Sequence, residues 1–232
     1  MSKTVSVVIA CYNQQNNIKK CLDAILKNKK QPIEIIVVND SSTDNTLEII
    51  NDLEIKIVKV LSNKINRGIG YSRTKGIEIA KGEVIAICDA NSFVDKRWIY
   101  EISKSINDYS TCVYGKVIPP NITSFTNSIL ISESISSGII NKYFGNDAIP
   151  GHNFAISKKC LKDIGGYGSL PGWGSDALLY SKLKEHSMKI IYNNKMLVHK
   201  DYETGYYNLF QRRFRWGRGS RLSHKKKSNK VI

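Results

Sequence analysis

Short apolar runs alternate with stretches of helical periodicity through the first half of the chain. Segments 4–10, 34–38, 56–61 and 84–88 have strand length and are rich in Val and Ile. Between them, segments near 16–27, 44–53 and 70–80 carry the wider apolar spacing of helices. Strands and helices alternating at these lengths imply right-handed βαβ crossovers and a mainly parallel sheet, an α/β fold. Ser42 or Thr43 is placed to cap the second helix, and Asp44 complements its positive end.

The second half reads less regularly. A helix is expected over 95–107 and a strand over 111–118, which Pro119-Pro120 terminates. Residues 121–150 are rich in Ser, Asn and Ile, and their weak periodicity assigns no elements. The pattern then predicts a strand over 152–157, a helix over 158–164 ended by Gly165-Gly166, and a helix over 176–186. Two strands, 189–192 and 196–199, precede an amphipathic helix over 206–216 halted by Gly217 and Gly219. Neither a repeat nor a long linker interrupts the chain. One domain over 1–221 is expected, in two halves (1–118 and 119–221), followed by a basic tail at 222–232.

The run Val84-Ile85-Ala86-Ile87-Cys88 ends abruptly in Asp89-Ala90-Asn91. A buried strand of this kind delivers its last residue to the crevice at the carboxyl edge of an open α/β sheet, where ligands bind. Two side-chain oxygens one residue apart suit a divalent cation, which in turn suits a diphosphate. An Asp-Asn turn closing a strand is the alternative.

Composition narrows the class of partner. The 232 residues include 35 Lys and Arg against 20 Asp and Glu, a formal net charge of +15 that attracts phosphates, anionic lipid surfaces or nucleic acid. The densest cluster is Arg212, Arg213, Arg215, Arg218, Arg221, Lys225, Lys226, Lys227 and Lys230, which suits an anionic bilayer; a solvated terminus is the alternative. No apolar run reaches membrane-spanning length, and Met1-Ser2-Lys3-Thr4 leads directly into a strand, so a cytoplasmic protein is expected. Cys11, Cys21, Cys88, Cys112 and Cys160 form no C-x-x-C pair and read as buried free thiols. No G-x-G-x-x-G follows a strand, which argues against a dinucleotide-binding oxidoreductase. The loop Ala10-Cys11-Tyr12-Asn13 lacks the Gly-rich, Lys-containing character of a sugar nucleotidyltransferase.

Several segments together resemble the family 2 glycosyltransferases of the GT-A fold. Ser6 to Asn13 is similar to their first strand and nucleotide loop, with Ala10-Cys11 replacing the usual Pro-Thr. Ile35 to Asp44 resembles the second strand and its acidic turn, with Ser41 where Gly is commoner. Asn66-Arg67-Gly68, Arg73, Gly76 and Lys81-Gly82-Glu83 lead into the metal motif. Gly151-His152-Asn153, Gly165-Gly166-Tyr167 and Gly174-Ser175-Asp176 match the acceptor half. The resemblance runs from residue 5 to about 219.

The resemblance implies an inverting transferase that moves a sugar from a nucleoside-diphosphate sugar, a UDP-sugar, to a hydroxyl of a glycan or lipid-linked acceptor. It assigns Ala10, Tyr12, Asn13, Asp40, Asn66, Arg73, Asp89 and Ala90 to the nucleotide-sugar, with Asp40 accepting the uracil imide hydrogen and Arg73 facing the diphosphate. Asp176 becomes the base that deprotonates the acceptor. Asn153, Trp173, Arg215 and Trp216 are assigned to the acceptor. A divalent cation, Mn²⁺ or Mg²⁺, falls to Asp89, Asn91 and His199; relatives usually carry Asp at the position of Asn91, and an amide brings oxygen but no charge. The neutral Asn91 and Ser175 motivate the alternative, a catalytically impaired nucleotide-sugar or anionic-lipid binding protein of the same fold. Gln211 to Trp216 is similar to the Gln-x-x-Arg-Trp signature of processive members but holds one extra residue, so no polymerase is inferred. The basic tail implies peripheral contact with an anionic membrane, and no nucleic acid partner is expected.

Overall fold

A computed structural model describes residues 3–109, 111–119, 151–168 and 174–200, with single positions at 123, 127–129, 131, 207, 210, 211 and 214. The order of elements is β1 (Val5–Cys11), α1 (Ile18–Leu26), β2 (Glu34–Asn39), α2 (Thr46–Asp52), β3 (Val58–Ser62), α3 (Ile69–Ile79) and β4 (Val84–Asp89). There follow β5 (Ser92–Val94), α4 (Trp98–Ser105), β6 (Thr111–Ile118), β7 (Asn153–Ser157), α5 (Lys158–Asp163), α6 (Ser175–Glu185) and β8 (Lys189–Lys200).

The strands form one sheet in the order β3-β2-β1-β4-β7-β6-β8-β5. β3, β2, β1 and β4 run parallel, as the alternation of strands and helices requires. β7 then enters antiparallel between β4 and β6, and β8 lies parallel to β6 and antiparallel to β5, so the sheet is mixed beyond β4. Every residue of β1 and β2 is buried, because helices cover both faces. Val5, Val7 and Ile9 pack with α1, α2 and α4 through Leu22, Ile50 and Trp98. Val8, Ile36 and Val38 on the other face pack with α5 and α6 through Leu161, Leu179 and Leu183. All five cysteines are buried and free, as composition implied.

Two expectations are corrected. Residues 189–192 and 196–199 belong to one strand, because a bulge opposite Gly115 and Lys116 absorbs the polar break between them. β5 is too short for a periodic signal. Ser42 and Thr43 do not cap α2: Asn13 N–H donates to Ser42 Oγ at 3.0 Å and Asn13 Nδ2 to Thr43 Oγ1 at 3.2 Å. Asp44 holds the start of that helix instead, its Oδ1 accepting from Thr46 N–H at 3.0 Å. The helix expected over 206–216 falls largely outside the described residues.

Candidate active site

Four elements meet at the carboxyl edge of the parallel strands. β4 ends in Asp89, whose side chain is 20% exposed. α3 presses against β1 and β2 at Gly76, where an added Cβ would stand 2.5 Å from Val8 Cγ1. That close approach sets Arg73, one turn earlier, under the strand edge. Arg73 is buried, and its Nη2 donates to Asp89 Oδ1 at 2.7 Å. Its Nη1 donates to Asp176 Oδ1 at 2.7 Å and to the Tyr167 hydroxyl oxygen at 2.6 Å. Tyr167, buried against the Phe154 ring at 6.1 Å, also donates its hydroxyl to Asp176 Oδ1. Lys200, the last residue of β8, donates from Nζ to Asp89 Oδ2 at 2.5 Å.

Charges follow from this packing. Burial pushes the Asp89 carboxyl up, but the positive Lys200 and Arg73, with His152 nearby, outweigh it and hold the group well below the usual carboxylate range. Burial likewise opposes the Arg73 charge, while Tyr167, Asp176 and Asp89 overcome it and keep the guanidinium charged. Tyr167 is pushed well up, chiefly by burial, so its phenol stays protonated. Asp176 sits in the first turn of α6, where Gly174 supplies the N-cap position and no side chain caps the helix. The Asp176 carboxylate reaches across to Arg73, and its Oδ2 lies over Gly151, where a Cβ would approach to 1.9 Å.

The nucleotide-binding residues read from the sequence line the same edge. Ala10 pairs with Asp89 across β1 and β4, and Ala90 is buried beneath. Tyr12 is 45% exposed beyond β1. Asn13 and Ser41 adopt left-handed backbone, φ 52° and 63°, which explains why the position of Ser41 favours Gly. Asp40 is buried, and its Oδ1 accepts from Asn63 Nδ2 at 2.7 Å and Arg67 N–H at 2.9 Å. Its Oδ2 accepts from Gly68 N–H at 2.8 Å. Those three bonds shape loop 63–68, which carries the exposed Asn66, and leave one acceptor position on Oδ2. Asn63 Nδ2 also donates to Ser72 Oγ at 3.0 Å, which ties Asp40 to the residue beside Arg73.

Asn153 does not face an acceptor. It is fully buried in β7, where Oδ1 accepts from Trp98 Nε1 at 2.8 Å and Nδ2 donates to Lys116 O and Met196 O, each at 2.9 Å. Nδ2 thus closes the β6–β8 bulge, while Oδ1 holds the Trp98 indole. Trp173, Arg215 and Trp216 lie outside the described residues. Sequence reasoning assigned no role to Tyr167 or Lys200. The first stood within a recognised motif, and the second follows His199 at a strand end.

Residues 6–165 match the model of the Glycosyl transferase family 2. The chain belongs to that family. The probable glycosyltransferase YdaM of Bacillus subtilis is 32% identical over 178 residues, 70% of this chain and 42% of that protein. The chain spans about a fifth to three quarters of the length of the curated relatives it matches, and 42% of YdaM. Among solved structures, a mannosyltransferase from Pyrobaculum calidifontis in complex with GDP-Man and Mn²⁺ superposes with TM-score 0.75 at 19% identity, covering 99% of this chain and 65% of that one. S. aureus TarS 1-349 in complex with UDP-GlcNAc gives 0.66 at 20% identity, over 87% and 59%. These likenesses establish the GT-A fold.

Mn²⁺ in such a neighbour raises the question of whether this family 2 chain has residues to hold a cation. Asp89, Asn91 and His199 do not fit one as they stand. Both Asp89 oxygens already accept from cationic side chains. Asn91 is neutral, and His199, paired with Phe93, leaves β8 on the face opposite Lys200. Among the described residues no group of three or more His, Cys, Asp or Glu is arranged to hold a metal.

Proposed function

We propose that this family 2 chain transfers a sugar from a nucleoside-diphosphate sugar, a UDP-sugar, to a hydroxyl of a glycan or lipid-linked acceptor with inversion. The observation that carries this is the Arg73 bridge, which joins Asp89 at the donor edge to Asp176 in the acceptor half. Arg73 and Tyr167 fix Oδ1 of Asp176, so Oδ2 takes the proton of the attacking hydroxyl. The acceptor oxygen forms its bond to the anomeric carbon as the bond from that carbon to the phosphate oxygen breaks. The electron pair departs with the nucleoside diphosphate, on the face opposite attack, and configuration inverts. The remaining acceptor position on Asp40 receives the uracil imide hydrogen, with Tyr12 beside the base. In this reading residues 1–118 bind the donor and 119–221 the acceptor within one domain.

A lipid-linked acceptor would bring the chain to a membrane face. Among the described residues no helix is long and apolar enough to cross a membrane. Helical Tyr207, Phe210 and Phe214 are 73%, 66% and 58% exposed, an aromatic face next to the basic segment. Flotation with anionic vesicles, lost on deleting 222–232, checks this contact at the cytoplasmic face.

A thermal-shift screen of UDP-, GDP- and dTDP-sugars identifies the donor by selective stabilisation. Transfer from that donor is expected to fall by about 10²–10⁴ in Asp176→Asn, while donor affinity holds. Undiminished transfer by Asp176→Asn, or no stabilisation by any donor, overturns the proposal.

A further inference from the structure

The hydrogen-bonding capacity around Asp89 is that of donors. Its two oxygens meet Arg73 Nη2 and Lys200 Nζ at 2.7 and 2.5 Å. Lys200 is 14% exposed on its side chain, so it is not sealed in the core. An ammonium has three N–H donors, and among the described residues Asp89 Oδ2 is the one acceptor recorded for them. The unpaired ammonium N–H groups beside this carboxylate suit the oxygens of an anion.

Strand pairing fixes this arrangement. Lys200 pairs with Ser92, and Phe93 and Val94 continue the antiparallel ladder with β8. The last residue of β8 is thereby held beside the turn Asp89-Ala90-Asn91. Charge balance points the same way. A second carboxylate at position 91 with a dication would sum to the net charge that Asn91 with Lys200 gives alone. We propose that this chain holds its donor diphosphate without a divalent cation, the Lys200 ammonium supplying the positive charge beside Asp89. The inference rests on the donor reading above. When the anomeric bond breaks, the electron pair left on the phosphate oxygen is balanced by Lys200 and by the Arg73 guanidinium. A lysine is a compact point charge well suited to phosphate.

Binding of UDP and of uridine to the purified full chain, by calorimetry in EDTA and in Mn²⁺, tests this without turnover. UDP affinity is expected to agree in the two buffers to within about threefold. Lys200→Met should weaken UDP by about tenfold or more in EDTA, leave uridine unchanged, and be rescued by Lys200→Arg. Asn91→Asp combined with Lys200→Met should make UDP binding require Mn²⁺, with Mn²⁺ retention read by electron paramagnetic resonance. UDP binding by the unaltered chain only in Mn²⁺, or Lys200→Met binding UDP as the unaltered chain does, overturns the inference and leaves the donor reading standing. Failure of the folded chain to bind UDP, GDP or dTDP in either buffer overturns the donor reading, and this inference with it.

Discussion

Replacing Arg73 by Met tests the centre of the site through stability alone, with no substrate required. The guanidinium is 2% exposed and bridges two carboxylates of unequal burial, Asp89 at 20% and Asp176 at 37%. Removing one partner of a buried ion pair costs about 3–5 kcal/mol, because the other charge is left without compensation. Lys200 remains on Asp89 Oδ2, which places that arm at the lower end of the range. The Asp176 arm is more than a third exposed, and solvent screening reduces it to about 1 kcal/mol or less. The expected total is therefore about 3–4 kcal/mol, most of it through Asp89. Urea denaturation of Arg73→Met, Asp89→Asn, Asp176→Asn and the two double variants gives both coupling energies. The 73–89 coupling should exceed the 73–176 coupling. Arg73→Lys should lose an intermediate amount, since one ammonium does not span both carboxylates. A loss below about 1 kcal/mol for Arg73→Met, or the reverse order of couplings, would refute the reasoning.

In Gly151→Ala the new Cβ lies 1.9 Å from Asp176 Oδ2, so the carboxylate must leave Arg73 and Tyr167. Steady-state kinetics should show kcat down about 100-fold with donor KM unchanged, and an unaltered kcat would place the base elsewhere. Asn153→Ala removes the bonds to buried Trp98 Nε1 and to two backbone carbonyls, and chemical denaturation should show a loss of about 2–3 kcal/mol with acceptor KM unmoved. A raised acceptor KM at full stability would restore the role read from the sequence. Glu34 resembles Asp89: burial raises its carboxyl, but Lys59, Lys81 N–H and Ser6 lower it further, and the net shift is downward. Because both folded groups titrate below their unfolded values, the stability they contribute is complete above about pH 5. It is lost as pH falls below about 4 toward the folded values, and the urea midpoint should follow, less steeply in Glu34→Gln.

The parallel half of the fold was legible because local pattern and tertiary burial agree there. The runs in β1, β2 and β4 are mainly apolar, as a strand covered on both faces needs, and the buried Ser6 and Glu34 hydrogen-bond each other. The mixed half was less so. β7 lies antiparallel between β4 and β6, which local periodicity does not reveal. Asn193 and Lys195 break the apolar pattern of β8, yet the bulge against β6 keeps them in one strand. Asn153 was assigned to the acceptor by resemblance alone, and local pattern gives no sign of the bulge and the indole that create the polar cavity it fills.

The site itself divides along sequence separation. Asp89 and Asp176 carry signals of their own, one at the end of an apolar run and one in the first turn of a helix. What each carboxylate meets is decided elsewhere: Arg73 is 103 residues from Asp176, and Lys200 is 111 from Asp89. Strand order settles those pairings, because the ladders of β8 with β6 and β5 carry its last residue to Asp89. A carboxylate at a strand end is therefore an incomplete statement about chemistry. Beside acidic neighbours it would be a cation ligand; beside Arg73 and Lys200 it becomes the anchor of two cations, and in the reading proposed above the same oxygen atoms order a site for phosphate. The Asp89 side chain is common to both outcomes, so the charge of its neighbours, fixed by topology, decides which ligand the edge of this sheet recruits.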